Sequence, residues 1–218
     1  QLWLKNNYYG NIFFFYYKYK KTEATFGGGY TRYDGKHFGK LIWASKGFTG
    51  SDKWYDLDAV KSDLNFYLKQ QTAIAPGWFL YYDLQFRHVN YTINGFRNNP
   101  ELKVNNEFNF FNPKAGISYK KNRWKGFLSY SIANKEPNRD DFEAGVLSRP
   151  LPERLSDWEL GIEETGNKYN WSATIYYMNY KNQLVVTGKK NDVGAYTRTN
   201  IPNSYRTGIE LQGRYSFN

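Results

Sequence analysis

Cysteine is absent from the 218 residues, which removes disulfide frameworks, thiol nucleophiles and thiolate metal sites together. Histidine is almost absent: His37 and His88 are the two in the chain. Neither stands in a metal-ligand spacing such as HExxH, so no metal site is expected. No run of 18 apolar residues occurs and the mean hydropathy is −0.78, so a transmembrane helix is excluded. The first nine residues have no charged stretch followed by an apolar one and do not begin with Met. Either a leader has been removed or the chain is a piece of a longer one.

Against these absences stand a formal charge of +10 and an aromatic content of 20%, with 21 tyrosines. So many aromatics beside so low a hydropathy means that apolar residues alternate with polar ones. The strictest alternation is at 204–217. Tyr205, Thr207, Ile209, Leu211, Gly213, Tyr215 and Phe217 share one parity, and Arg206, Glu210, Gln212 and Arg214 share the other. A period of two is a strand with one greasy and one wet face.

The same reading gives further strands near 11–19, 22–33, 63–70, 78–87, 108–120, 126–134, 157–163 and 171–177. The strand at 11–19 is apolar on both faces, so its inner side must meet other protein or be poorly specified. Gly27, Gly28 and Gly29 imply a bend or a place of close packing. Connections alternate between tight turns, at 20–21, 75–77, 121–125 and 165–168, and long segments at 34–60, 94–106, 135–155 and 183–202. In an antiparallel meander every second connection lies at the same rim, so all four long segments are expected at one end. The fold class expected is all-β: an antiparallel, up-and-down transmembrane β-barrel, partial, with about nine strands of a larger barrel occupying 1–218 as one segment. Its first and last strands should then have unpaired edges.

Face chemistry agrees. Asp83, Arg87, Lys114, Lys120, Asp157, Glu159, Glu163, Arg206, Glu210 and Arg214 fall on the parity expected to face a wet interior. Leu80, Tyr82, Leu84, Leu160, Ile209 and Leu211 fall on the outer one, and Trp78, Tyr119, Trp158, Trp171 and Tyr215 read as an aromatic girdle.

No catalytic constellation emerges, and neither enzyme activity nor a cofactor is expected. Glu163 and Glu164 are neighbours on a strand and point to opposite faces. Glu136, Asp140 and Asp141 read as a solvated acidic loop before a cation site. No helix pattern follows Gly27, Gly28 and Gly29 to make a phosphate cradle. The residues suited to a ligand are loop aromatics and cations: Tyr33, His37, Trp43 and Arg139, which could offer stacking surfaces and positive charge to an anion.

Several stretches resemble the barrel of TonB-dependent outer-membrane receptors, especially the Bacteroidetes type: GGGYTRYDGKHFGKLIWA, FNFFNPKAGISY, ANKEPNRDDF, ERLSDWELGI, YYMNYKNQLVVTG and NDVGAYTRTNIPNSYRTGIEL. The resemblance implies an energised importer in the Gram-negative outer membrane. Such a receptor has about 22 strands plugged by an N-terminal domain and takes up ferric siderophores, haem, cobalamin or glycans. Of these, a ferric siderophore or other iron complex is the ligand expected here. The plug and the TonB-contacting segment have no counterpart in 1–218, so the TonB interaction would run through a missing plug. Outer-membrane lipid and lipopolysaccharide would be the other partners. Two other readings are a soluble carbohydrate-binding β-module and a small complete barrel acting as a pore or adhesin. A basic surface for nucleic acid is disfavoured because the aromatics spread over one face of several strands.

Overall fold

A computed structural model describes residues 1–45, 53–97, 99–144, 149–190 and 196–217. Nine strands run in chain order: β1 (Leu2–Tyr19), β2 (Thr22–Lys40), β3 (Lys53–Ala75), β4 (Trp78–Phe96), β5 (Asn99–Lys121), β6 (Trp124–Lys135), β7 (Glu153–Thr165), β8 (Tyr169–Lys190) and β9 (Tyr196–Tyr215). One short helix, α1 (Arg139–Ala144), lies between β6 and β7. Each strand pairs antiparallel with the next, in the order β1 to β9. No pairing joins β9 to β1 among the described residues, so the sheet is an unclosed wall with two free edges, contrary to the small complete barrel.

The tight turns share one rim. Backbone bonds link neighbouring turns along it: Ala73 N to Lys21 O, Lys120 N to Gly77 O, Thr165 N to Arg123 O and Ser216 N to Lys168 O. The strand ends leading into the other four connections therefore meet at the opposite rim, as the alternation of lengths requires.

The strands are longer than the sequence pattern indicates, and the long connections correspondingly shorter. The supposed loop at 94–106 is the hairpin end of β4 and β5, with Ile93 opposite Val104 and Phe96 opposite Asn99. The segment at 183–202 is mostly β8 and β9, with Gln183 opposite Ile201 and Val186 opposite Arg198. Of 34–60, residues up to Lys40 and from Lys53 are strand; 46–52 and 191–195 lie outside the described residues. β1 begins at Leu2, well before residue 11. The connection 136–152 is long as expected and carries α1.

In β4 and β5 the cause is an inversion of alternation. In the half nearer the tight turns, one face is an apolar band whose rows cross the sheet: Leu80, Ile117, Leu128, Leu160, Ile175 and Ile209 form one continuous cross-strand register. The opposite face there is charged, with Lys69 Nζ 3.7 Å from Asp83, Lys125 Nζ 3.4 Å from Glu163, and Ser129 Oγ donating to Glu159 at 3.2 Å. Beyond Phe86 and Arg87 the faces exchange roles. His88, Asn90, Thr92 and Asn94, beside Asn109, Glu107, Asn105 and Lys103, continue the outer face as polar residues. Val89, Tyr91, Ile93, Val104 and Phe110 make a small buried core on the inner face.

Gly95, at φ +93°, sits in a register shift. The shift turns Phe96 into that core, where it is fully buried. Phe142 of α1 caps the core, its ring edge-on to Tyr91 at 5.7 Å. Burial of a ring of this size stabilises by about 1.5–3 kcal/mol.

The helix can reach this place because β6 and β7 are short. β5 pairs with β6 only from Lys114 onward, leaving a notch beside its upper half. Pro137 and Pro150, lacking N–H groups, do not continue a ladder there. Asn134 satisfies the exposed edge of β5 by donating from Nδ2 to Phe111 O at 3.1 Å and to Asn112 Oδ1 at 2.9 Å.

The three glycines belong to a place of close packing rather than a bend. A side chain at Gly27 would meet the Tyr67 hydroxyl at 2.5 Å, and one at Gly28 would meet Phe66 Cδ1 at 2.8 Å. The inner side of β1, Ile12 and Phe14, is exposed.

Candidate ligand-binding site

A cavity of about 270 Å³ opens on the inner face near the rim of the longer connections. β2 contributes Tyr33 and His37, β3 Lys61 and β4 Tyr91, with Asn138 just before α1 and Arg139 as its first residue. Tyr33 and His37 are thus strand residues, placed two turns of the pleat apart on one face, not loop residues as the sequence suggested. Tyr33 is fixed by its hydroxyl, which donates to Asn6 Oδ1 at 2.8 Å. Of the four residues singled out from the sequence, Tyr33, His37 and Arg139 line this one cavity. Trp43 does not: it follows the end of β2 with its ring 75% exposed.

Arg139 is held by its guanidinium stacking 4.9 Å from the Phe96 ring centre. The helix bearing it is capped reciprocally: Asn138 Oδ1 accepts from Asp141 N at 2.9 Å, and Asp141 Oδ2 accepts from Asn138 N at 2.7 Å. The other oxygen of Asp141 takes Arg198 Nη1 of β9 at 2.6 Å. That second bond ties α1 to the far end of the sheet.

Lys61 lies 5.4 Å over the Tyr91 ring, and its Nζ donates to Glu136 at 2.8 Å. Glu136 is buried and also receives Arg87, through Nη1 at 2.8 Å and Nη2 at 2.9 Å. Arg87 further donates to Asp63, from Nε at 2.8 Å. Burial alone would raise the Glu136 carboxyl, but the hydrogen bonds from Arg87 and Lys61 outweigh it and hold the group at about 2. The acidic residues considered for a cation site are therefore separated, Glu136 serving Arg87 and Lys61 while Asp141 serves Arg198.

No carboxylate is among the described residues lining the cavity, while two cations are. His37 lies on β2 well beyond Tyr30, the last residue of the apolar band on that strand. Burial and the nearby Arg139 charge push its imidazole below the ordinary range. The cavity is thus an aromatic and cationic pocket suited to an anion. Lys61, Tyr91 and the Arg87–Glu136 pair were not picked out from the sequence. Arg87 was seen only as one member of a polar face. Arg87 stands opposite Asn65, two residues from Asp63, through the register shift at Ala73 and Ala75; a plain two-residue turn at 76–77 would set Phe66 opposite it.

The family described as "TonB dependent receptor-like, beta-barrel" matches residues 2–218. No curated protein matches the chain. Among solved structures, the copper transporter OprC superposes with a TM-score of 0.82 at 12% identity, over 100% of this chain and 36% of that one. The ferric-catecholate import receptor Fiu of E. coli K12 gives 0.71 at 14% identity, over 99% and 36%. The FrpB iron transporter of Neisseria meningitidis gives 0.69 at 15%, over 99% and 34%. The chain spans about a third of the length of each.

Proposed function

The chain belongs to the β-barrel family of TonB-dependent receptors, and from that premise we propose that it forms part of the wall of an outer-membrane importer whose cargo is a ferric siderophore or other anionic iron complex. Members of the family are receptors and transporters, not enzymes, and reside in the outer membrane of Gram-negative cells. Within such a receptor the apolar band faces lipid, the charged face lines the lumen, and the rim of the longer connections is extracellular. Lipopolysaccharide meets the outer polar residues at that rim. A plug domain elsewhere in the receptor supplies the contact with TonB. The subgroup resemblance of residues 191–211 favours a Bacteroidetes-type receptor.

The observation that carries the ligand reading is the convergence of Tyr33, His37, Lys61, Tyr91 and Arg139 on one cavity. A bare metal cation would be repelled by Arg139, whereas the charge of Lys61 is already balanced by Glu136. A chelate with net negative charge would be attracted, and its flat groups would stack on the tyrosine rings. The test is titration of the whole receptor with a panel of ferric siderophores, followed by intrinsic fluorescence quenching. Arg139→Ala should weaken the bound member about tenfold or more, the loss of one hydrogen bond to a charged group, and His37→Ala less. Unchanged affinity in both variants, with the receptor folded, would place the ligand elsewhere.

A further inference from the structure

The outer apolar band is not uniform. In the row Tyr119, Gly126, Ile162, Ala173, Leu211, a glycine and an alanine interrupt large side chains. A side chain at Gly126 would find only Gly161 O, at 3.9 Å. The result is an apolar groove of about 510 Å³ across β4 to β8, walled by Trp78, Tyr119, Leu128 and Ile162 and floored at Gly126 and Ala173.

The groove ends at the tight-turn rim. Trp124 and Trp171 meet edge to face there at 5.6 Å, and both are organised around Glu164. This carboxylate is buried on the outer face, accepting from Trp171 Nε1 at 2.9 Å and Tyr169 Oη at 3.0 Å, with Arg123 Nη2 at 3.5 Å. Rings held this way present their polar edges at the boundary between an apolar and a wet layer. Immediately beyond lie exposed cations: Lys121 at the end of β5 and Arg123 in the turn after it, Lys168 in the next turn, and Lys20 and Lys21 in the first. The turn residues at 20–21, 76–77, 122–123 and 166–168 include no acid.

An apolar groove closed at its wet end by an excess of positive charge, Lys121, Arg123 and Lys168 against the single carboxylate of Glu164, matches one amphiphile. We propose that it is a binding site for an anionic phospholipid, with one acyl chain across Gly126 and Ala173 and the phosphate held by Arg123 and Lys121. Short turns in such barrels are periplasmic, which assigns the lipid to the inner leaflet. The site rests on the outer face being a membrane wall and is independent of the ligand cavity.

Native mass spectrometry of the detergent-purified whole receptor, with phosphatidylglycerol and phosphatidylcholine of matched chains, tests it. Phosphatidylglycerol should be retained in preference, and the paired substitution Lys121→Ala with Arg123→Ala should weaken its retention about thirtyfold, two surface cations' worth. Ala173→Phe should weaken both lipids by filling the groove. Equal retention of the two lipids, or a preference that survives loss of both cations, overturns the site; so does full competition by inorganic phosphate in the unsubstituted receptor. Should Ala173→Phe fail to fold, the charge variant and the lipid comparison still decide. Quenching of tryptophan fluorescence by brominated phosphatidylcholine reports separately whether the wall lies in lipid, so failure of the site and failure of the wall assignment give different results.

Discussion

Arg87 of β4 and Glu136 of the β6–β7 connection, 49 positions apart, meet through two parallel hydrogen bonds of 2.8 and 2.9 Å. The pair fastens the connection to the inner face and so sets the position of α1, of Arg139 and of one wall of the cavity. Geometry of this two-pronged kind adds direction as well as strength.

Removing the carboxylate should loosen that wall. Glu136→Ala leaves Lys61 without its acceptor and Arg87 with Asp63 alone, at a cost of about 1–3 kcal/mol. The expected readout is faster protease cleavage within 136–152 in the folded receptor, with a smaller change in its overall melting. Cleavage no faster than in the parent would mean the connection is held by Phe142 and Asp141 without help from the pair.

The same group predicts a pH dependence. Glu136 is held at about 2, below its ordinary value of 4.5, so its contribution is complete above about 4.5 and is lost as the pH falls toward 2. Protection of the connection should therefore decline across that interval in the parent and stay flat in Glu136→Gln. Parallel profiles in the two proteins would assign the acid sensitivity to another group.

The wall has a sidedness that one neighbouring pair of positions can report. Ile175 lies on the outer face between Leu160 and Ile209, while Thr174 lies on the inner face between Gly161 and Glu210. Ile175→Arg should cost about 2–4 kcal/mol near mid-membrane, measured by reversible unfolding of the receptor in lipid vesicles. Thr174→Arg gains a carboxylate neighbour in Glu210 and should be close to neutral. A reversed order would turn the sheet inside out.

What the sequence revealed depended on which solvent each strand half meets. Where the outer face is apolar, as from Trp78 to Phe86, alternation stands out and the strands are legible, including their parity. Above Arg87 the outer face turns polar and the apolar residues, Val89, Tyr91, Ile93 and Val104, pass to the inner parity. There Asn94, Asn99, Asn105 and Asn106 read as loop although the ladder continues. The chemistry of the cavity was legible in Tyr33, His37 and Arg139 as residue types, but not their convergence, because Arg139 arrives through a notch left by two short strands. Glu136 looked like a solvated acid since its partners, Arg87 and Lys61, come from strands about 50 and 75 positions earlier.

Inversion of the alternation makes the final prediction, because it reverses the usual rule for such a wall. Val89 faces inward and is fully buried in the core under Phe142, whereas His88, one residue away, faces outward and bonds Asn109 at 2.8 Å. Lower on the same strand the order is opposite, with Leu84 outward in the apolar band and Asp83 inward beside Lys69. Val89→Lys should thus be severe, placing an unpaired cation in a dry core at a cost of several kcal/mol, and His88→Lys mild. At the lower pair, Leu84→Lys should be the damaging change, by about 2–4 kcal/mol if it meets mid-membrane lipid, and Asp83→Asn the tolerated one. Folded yield of the four receptors in vesicles decides it: damage at 89 and 84 with tolerance at 88 and 83 requires the exchange of faces between them. Damage at 88 together with 84 would instead mean that lipid covers the outer face to the full height of the strand.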